Sequence, residues 1–419
     1  MRRSTDPAGG ADGVGAAVGP GARAAEPAVP AACRPRVGAA VMHHPARERF
    51  LPDLLERCRP LTARPVADPD PGGPPSPLRT AKRAWAAVAP ESTHHLVLQD
   101  DVVPVAGFAR HVTAAVARRP EAAIALHVMW NAPINAYLAR RAATAGSAWA
   151  QLSLHEYVPC QGLVLPAGRA HRLAAFLQGF PDSLKADDEL VKRFCKEDGL
   201  EVWAVLPHLV EHRTVPSLAG NDDDGVRTGA VPFGATGGHT PAAPGAGRRP
   251  PRADAVPDFG LRLRRSECRI RPLPRDVRAD FGWIPDQPWR CAVDGLGVSA
   301  DQVLAGFGDA ARRCLASVPG PPRWVAQELW AYAWLMGAEA ARGGPFETGA
   351  RAAALRDAAL GTLAGSGLLP RHAAAMTPDA ERAHARLAAA AVEAGARAVV
   401  DAGFATAGPP AESQRRRPR

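Results

Sequence analysis

Between residues 37 and 206 the apolar positions alternate between two rhythms, short uninterrupted runs and stretches with a helical period. Residues 37–42 form a first apolar run that stops at His43-His44-Pro45, which predicts a strand followed by a loop. Phe50, Leu51, Leu54, Leu55 and Cys58 then recur at helical spacing, and residues 63–67 give a second short strand that closes at Asp68-Pro69-Asp70. Residues 80–88 carry basic groups on one side and Trp85 and Val88 on the other, the mark of an amphipathic helix. A strand over 95–98, a helix marked by Phe108, Val112 and Val116, and a strand over 122–128 follow. Strand, helix, strand, helix, strand is the pattern of an α/β layer with a mainly parallel sheet. Further on, the same reading predicts a strand over 161–165, a helix over 170–177, and a helix over 189–195 leading into a strand over 200–206.

The rhythm is absent in three tracts. Residues 1–35 are rich in Ala, Gly and Pro and read as a disordered leader, residues 222–257 as a disordered linker, and residues 405–419 as a disordered basic tail. These tracts bound an α/β domain over 36–221 and a smaller, mostly helical accessory domain over 258–404. The strongest segment of the latter, residues 324–340, sets Val325, Leu329, Trp330 and Trp334 at helical offsets, where the tryptophans read first as packing residues.

Composition adds bounds. A chain of 419 residues with a hydrophobic fraction of 46% can build an ample core, and its 40 Gly and 42 Pro, partly in patches, suggest ordered units separated by disordered tracts. The net charge of +9 suits a phosphate-bearing ligand or an anionic surface, and the tail Arg415-Arg416-Arg417-Pro418-Arg419 is expected to make weak contacts with polyanions or a membrane surface. Seven cysteines, an odd number without a C-x-x-C pair, argue against a disulfide framework and a structural zinc site and point to a reducing cytoplasm. No apolar stretch reaches the length of a transmembrane helix, and the residues after Met1-Arg2-Arg3 lack the apolar core of a secretory signal.

Candidate chemistry falls in the loops after the expected strands, where an open α/β sheet gathers its ligand. His43, His44 and Arg47 follow the first strand, Asp68 and Asp70 the second, and Asp100 and Asp101 end the third in the run Leu98-Gln99-Asp100-Asp101. Arg79 and Lys82 sit at the start of the helix before that third strand. Basic groups near a helix N-terminus suit a diphosphate, and a carboxylate at the end of the second strand suits ribose hydroxyls or a base edge. Each cluster alone also reads as an ordinary polar loop, and Asp100-Asp101 as a solvated turn. Their joint placement favours a site.

The order of these pieces resembles the GT-A glycosyltransferases, specifically bacterial enzymes with a Leu-Glu-Asp-Asp motif and related N-acetylglucosaminyltransferases. The resemblance covers residues 36–221 and is one of pattern more than of long identities. It implies a GT-A type sheet and a Mn²⁺ or Mg²⁺ ion bridging the two phosphates of a sugar nucleotide. Asp101 inherits the role of metal ligand, with Asp100 beside the ribose or donor sugar, and Gln99 departs from the usual Glu. The acidic pair in Ser183-Leu184-Lys185-Ala186-Asp187-Asp188-Glu189 falls where such inverting enzymes carry the base that deprotonates the acceptor hydroxyl. Asp188 is the first choice and Asp187 the second, although acids at a helix start also serve as a cap. In Leu206-Pro207-His208-Leu209-Val210-Glu211-His212, His212 matches a histidine that completes the metal shell, and it reads otherwise as a surface histidine after a strand. Gly162 matches a glycine that lets the backbone approach the donor, while Trp130 and Tyr157 read either as sugar-stacking faces or as packing residues.

The expectation from sequence is therefore a metal-dependent glycosyltransferase, inverting in preference to retaining, that takes a nucleoside diphosphate sugar donor and a hydroxyl acceptor. Two alternatives stand beside it. A nucleotidyltransferase shares the sheet and the acids but wants a Gly-rich phosphate loop, which Met42-His43-His44-Pro45 is not. A non-catalytic binding or scaffold protein with a decayed donor site draws its support from Gln99.

Overall fold

The computed structural model describes residues 35–218, 220, 227–236, 255–276 and 285–401. The expected leader before residue 35, the tail over 405–419 and most of the linker over 222–257 lie outside the described residues.

The α/β layer begins with β1 (Val37–His43), α1 (Leu51–Cys58), β2 (Ala63–Ala67), α2 (Pro77–Ala86) and β3 (His94–Gln99), the alternation that the apolar runs foretold. The start of α2 lies three residues before the expected one because Ser76 caps it, its Oγ accepting the Arg79 N–H at 3.3 Å, and Pro77 fits the first turn. The chain continues through β4 (Val102–Pro104), α3 (Phe108–Arg118), β5 (Ala123–Ala125), α4 (Asn135–Thr144), β6 (Trp149–Gln151), β7 (Gly162–Pro166), α5 (Ala167–Gln178), α6 (Asp187–Glu197), β8 (Val202–Val205) and β9 (Val210–His212).

The seven-stranded sheet has the order β2-β1-β3-β7-β5-β8-β6. Strands β2, β1 and β3 are parallel, as are β5 and β8, while β7 runs antiparallel between β3 and β5 and β6 is an antiparallel edge. The sheet is mixed and mostly parallel. Its faces are covered by helices: Leu78, Ala81 and Trp85 of α2 join Leu173 and Leu177 of α5 in one core, and Phe108, Val112 and Val116 of α3 join Leu54 and Cys58 of α1 in another. Strands β4 and β9 form a separate antiparallel ribbon.

Residues 227–236 correct one boundary. They fall within the expected linker, yet Ala230 and Val231 are fully buried in the core and the Ala230 N–H donates to the Val128 carbonyl at 2.8 Å.

The remaining elements are the strands β10 (Phe259–Arg264), β11 (Glu267–Pro272) and β12 (Gln287–Pro288), followed by α7 (Trp289–Ala292), α8 (Ala300–Leu304), α9 (Phe307–Leu315), α10 (Arg323–Arg342), α11 (Ala350–Gly365), α12 (Pro370–Ala374) and α13 (Pro378–Asp401). This region is mostly helical, and its small sheet was not expected. Leu355, Ala358 and Ala359 of α11 pack in the same core as the α/β layer, while Tyr137 and Leu138 of α4 pack with the tryptophans of α10. Helix α4 has all ten of its residues buried, which removes the polar face that would reveal a helix in sequence. No helix among the described residues is long and apolar enough to cross a membrane.

Candidate active site

Strand register brings the expected loops together. His43 lies opposite Ala67, and Met42 beside Gln99, so Asp68, His44 and Asp100 leave the sheet at one edge, beyond the carboxyl ends of three parallel strands. The β4–β9 ribbon pairs Val102 with His212, and the Arg213 N–H donates to the Asp101 carbonyl at 2.8 Å. Residues distant in sequence, Asp101 and His212, thereby become neighbours. Asp187 and Asp188, in the first turn of α6, line the same cavity of about 480 Å³, a size that suits a small-molecule ligand.

His43, Arg47, Asp68, Arg79, Asp100, Asp101, Asp187, Asp188 and His212 all line this cavity, and the expected Lys82 and Gly162 do not. Lys82 is turned away, its Nζ donating to Asp182 at 2.6 Å and to the Phe180 carbonyl at 2.5 Å. Gly162 is a packing glycine: a Cβ there would lie 3.1 Å from Leu98 Cδ2 and 3.3 Å from Leu126 Cβ, so what approaches its backbone closely is the core. Trp130 and Tyr157 are likewise outside the cavity lining, with Trp130 against Gly365 of α11.

The two carboxylates after β3 are buried and share one cation. Arg47 Nη1 lies 3.1 Å from Asp100 Oδ1 and 2.5 Å from Asp101 Oδ2, while its Nη2 donates to the Pro216 carbonyl at 2.9 Å. Asp100 Oδ2 accepts the His44 N–H at 2.8 Å, and His43 Nδ1 stands 3.6 Å from the same oxygen. Burial and the adjacent Asp101 push the Asp100 carboxyl up from its ordinary value, against the His44 N–H and Arg47. Asp101 Oδ1 is buried with no hydrogen-bond partner among the described residues.

His212 has a defined polarity. Its Nδ1 lies 2.7 Å from the Arg213 carbonyl, which requires a proton on Nδ1 and, in the neutral ring, leaves Nε2 as a lone pair. That Nε2 is 3.4 Å from Asp101 Oδ2. The same Asp101 oxygen carries the Arg47 guanidinium, so the imidazole meets the carboxylate beside a resident cation. The donor set is nitrogen and oxygen, which fits a divalent ion and suits Mn²⁺ better than Mg²⁺. Among the described residues no group of three or more His, Cys, Asp or Glu side chains is placed to hold a metal.

A second pair lines the same cavity. Arg79 forks onto Asp68, Nε to Oδ1 at 2.7 Å and Nη2 to Oδ2 at 2.8 Å, and Nη2 also donates to the Asp70 carbonyl at 2.6 Å. Burial opposes ionisation of Asp68, but the guanidinium and the Asp70 N–H hold its carboxyl below the ordinary value. Arg79, expected as a diphosphate ligand, is thus committed to an internal partner.

The acids of α6 behave differently. Asp187 is buried, and burial together with repulsion from Asp188 pushes its carboxyl up to about 7. Asp188 is half-buried, its Oδ1 accepts the Glu189 N–H at 2.8 Å, and burial raises its carboxyl too. The N-cap of α6 is Ala186, without a side-chain cap hydrogen bond, so neither acid takes the cap position suggested for the pair.

Several lining residues were missed. Gln161 faces the cavity with Gln99, and its Oε1 is buried without a partner among the described residues. In sequence it reads as the first position of the strand over 161–165, which gives no sign of a lining role. Lys185 lines the cavity from the loop before α6, and Arg227 comes from the stretch expected to be linker. No known family model matches this chain, and no curated protein is significantly similar to it.

Proposed function

We propose that the chain is a divalent-metal-dependent glycosyltransferase of the GT-A type, moving a sugar from a nucleoside diphosphate donor to an acceptor hydroxyl with inversion. The observation that carries the reading is the convergence of Asp101, His212 and the Asp187–Asp188 acids on one cavity at the carboxyl edge of the parallel strands. Asp101 and His212 would hold the ion, and a bound Mn²⁺ or Mg²⁺ supplies charge stabilisation to the diphosphate leaving group. Arg47 and Lys185 add positive charge for the phosphates, and Asp68, fixed by Arg79, offers carboxylate oxygens to donor hydroxyls.

Asp187 is the better base of the acidic pair, because burial brings it to about 7, where it is both substantially ionised and a competent proton acceptor at neutral pH. In the proposed step the acceptor oxygen forms a bond to the anomeric carbon and its proton passes to the carboxylate. The bond from that carbon to the diphosphate breaks, and its electron pair leaves on the phosphate oxygen. A single displacement of this kind inverts the anomeric centre.

A thermal-shift screen of nucleoside diphosphate sugars with Mn²⁺ tests the reading. One donor class is expected to raise the melting temperature in Mn²⁺ but not in EDTA, and Asp101→Ala is expected to lose the effect. If no nucleotide with metal stabilises the wild-type chain, the reading fails.

A further inference from the structure

We infer that Arg47 is a resident counter-cation that must leave the acidic pair before the divalent ion binds, so that nucleotide and metal enter the site as coupled ligands. This rests on the glycosyltransferase reading. Arg47 projects from the 3₁₀ turn Pro45–Phe50, directly after β1, and its side chain is only 12% exposed. Its Nη1 touches both Asp100 and Asp101, and on Asp101 it takes Oδ2, the oxygen that His212 Nε2 faces at 3.4 Å. An ion on that oxygen at a bond length of about 2.1 Å would sit within about 4.6 Å of Nη1, whichever direction it bonds from, because Nη1 is itself 2.5 Å from Oδ2.

Charge makes the two occupants compete. Arg47 already neutralises one of the two carboxylates, and adding a divalent ion beside it sets three positive charges against two negative ones in a largely buried site. A nucleoside diphosphate removes the conflict. Its phosphate oxygens match the guanidinium fork, so Arg47 gains a replacement partner while the acids gain the metal. The coupling is reciprocal by linkage: the nucleotide tightens metal binding by the factor with which the metal tightens nucleotide binding.

The turn also has the means to release its arginine. Apart from the two acids, Arg47 makes one further side-chain bond among the described residues, to the Pro216 carbonyl at 2.9 Å. The turn itself is held through His44, whose Nδ1 accepts the Ala46 N–H at 3.2 Å and whose backbone N–H is anchored on Asp100. The side chain can swing while the turn stays in place.

Calorimetric titration of Mn²⁺ into the full chain tests the inference, with UDP and GDP as the nucleotide probes. Wild type is expected to bind Mn²⁺ at least about 10-fold more tightly with one of the nucleotides than without. Arg47→Gln is expected to bind Mn²⁺ about 10-fold more tightly than wild type in the absence of nucleotide, with most of the coupling gone. Because a diphosphate also ligates Mn²⁺ directly, the variant carries the test: Arg47→Lys replaces Arg47→Gln if the latter does not fold, and equal nucleotide-free Mn²⁺ affinity in wild type and variant overturns the inference. Equal Mn²⁺ affinity with and without a nucleotide that itself binds overturns the inference and leaves the glycosyltransferase reading intact. Absence of Mn²⁺ and nucleotide binding in wild type overturns both.

Discussion

His212 Nε2 and Asp101 Oδ2 face each other at 3.4 Å, and the Arg213 carbonyl, 2.7 Å from Nδ1, accepts the proton on that nitrogen and orients the ring. The pairing exists because β9 returns alongside β4, joining residues more than a hundred positions apart. If the pair holds a metal, His212→Ala should weaken Mn²⁺ binding measured with nucleotide present by roughly 10- to 100-fold, with the melting temperature in EDTA little changed. A loss of stability in EDTA without a change in Mn²⁺ affinity would make His212 a structural residue.

Asp187 gives a pH signature. The base must be ionised to accept a proton, so kcat/KM should rise with pH through an inflection near 7, the value to which burial brings Asp187. Asp187→Asn should lower turnover by a factor on the order of 100 or more, whereas Asp188→Asn should keep an inflection, moved to lower pH by the loss of Asp188's repulsion. A variant pattern in the reverse order would return the role to Asp188, the first choice from sequence.

Glu156 predicts a stability profile of its own. Its buried carboxylate accepts the Ile134 N–H at 2.8 Å and the Asn135 N–H at 2.6 Å, capping the otherwise uncapped start of α4, and burial raises its carboxyl to about 7. A carboxyl that is raised on folding binds its proton more tightly in the native state. Its contribution is therefore fully present below the unfolded value near 4.5 and is lost as pH rises through 7. The melting temperature should fall between pH 5 and pH 8, and Glu156→Gln should flatten that fall, as followed by circular dichroism.

The Asp68–Arg79 fork is nearly buried, and removing one partner leaves an unpaired charge. Arg79→Met should destabilise the chain by about 3 kcal/mol in urea unfolding, with the double variant Asp68→Asn, Arg79→Met recovering part of the loss. If Arg79 served only to hold phosphate, the single variant would leave stability unchanged.

Gly162→Ala separates packing from donor binding. The added methyl meets Leu98 and Leu126 at 3.1–3.3 Å, which should cost about 1–3 kcal/mol of stability while donor affinity is retained.

The parallel half of the sheet was legible because β1, β2 and β3 are short apolar runs that end abruptly in polar loops, and β2 falls on residues 63–67 as expected. The acids after β3 were legible for the same reason. What escaped the sequence had no local signal. Nothing in the run 161–165 distinguishes the antiparallel β7 from a parallel strand, since its direction is set by the path through α4 and β6. Helix α4 is buried on every side, so its period is invisible, and Arg140 within it is spent on Thr362 at 3.3 Å. Arg79 and Lys82 illustrate the other limit: the sequence shows a cation, and only the fold shows the carboxylate that has already claimed it.

The most direct test is release of nucleoside diphosphate from a panel of nucleoside diphosphate sugars, followed in Mn²⁺ and in EDTA for wild type and Asp101→Asn. Mn²⁺-dependent release from one donor class, abolished by EDTA and reduced on the order of 100-fold or more in Asp101→Asn, is the result expected. Equal release in wild type and Asp101→Asn, or none from any donor with or without acceptor alcohols, would contradict the assignment of this cavity to sugar transfer.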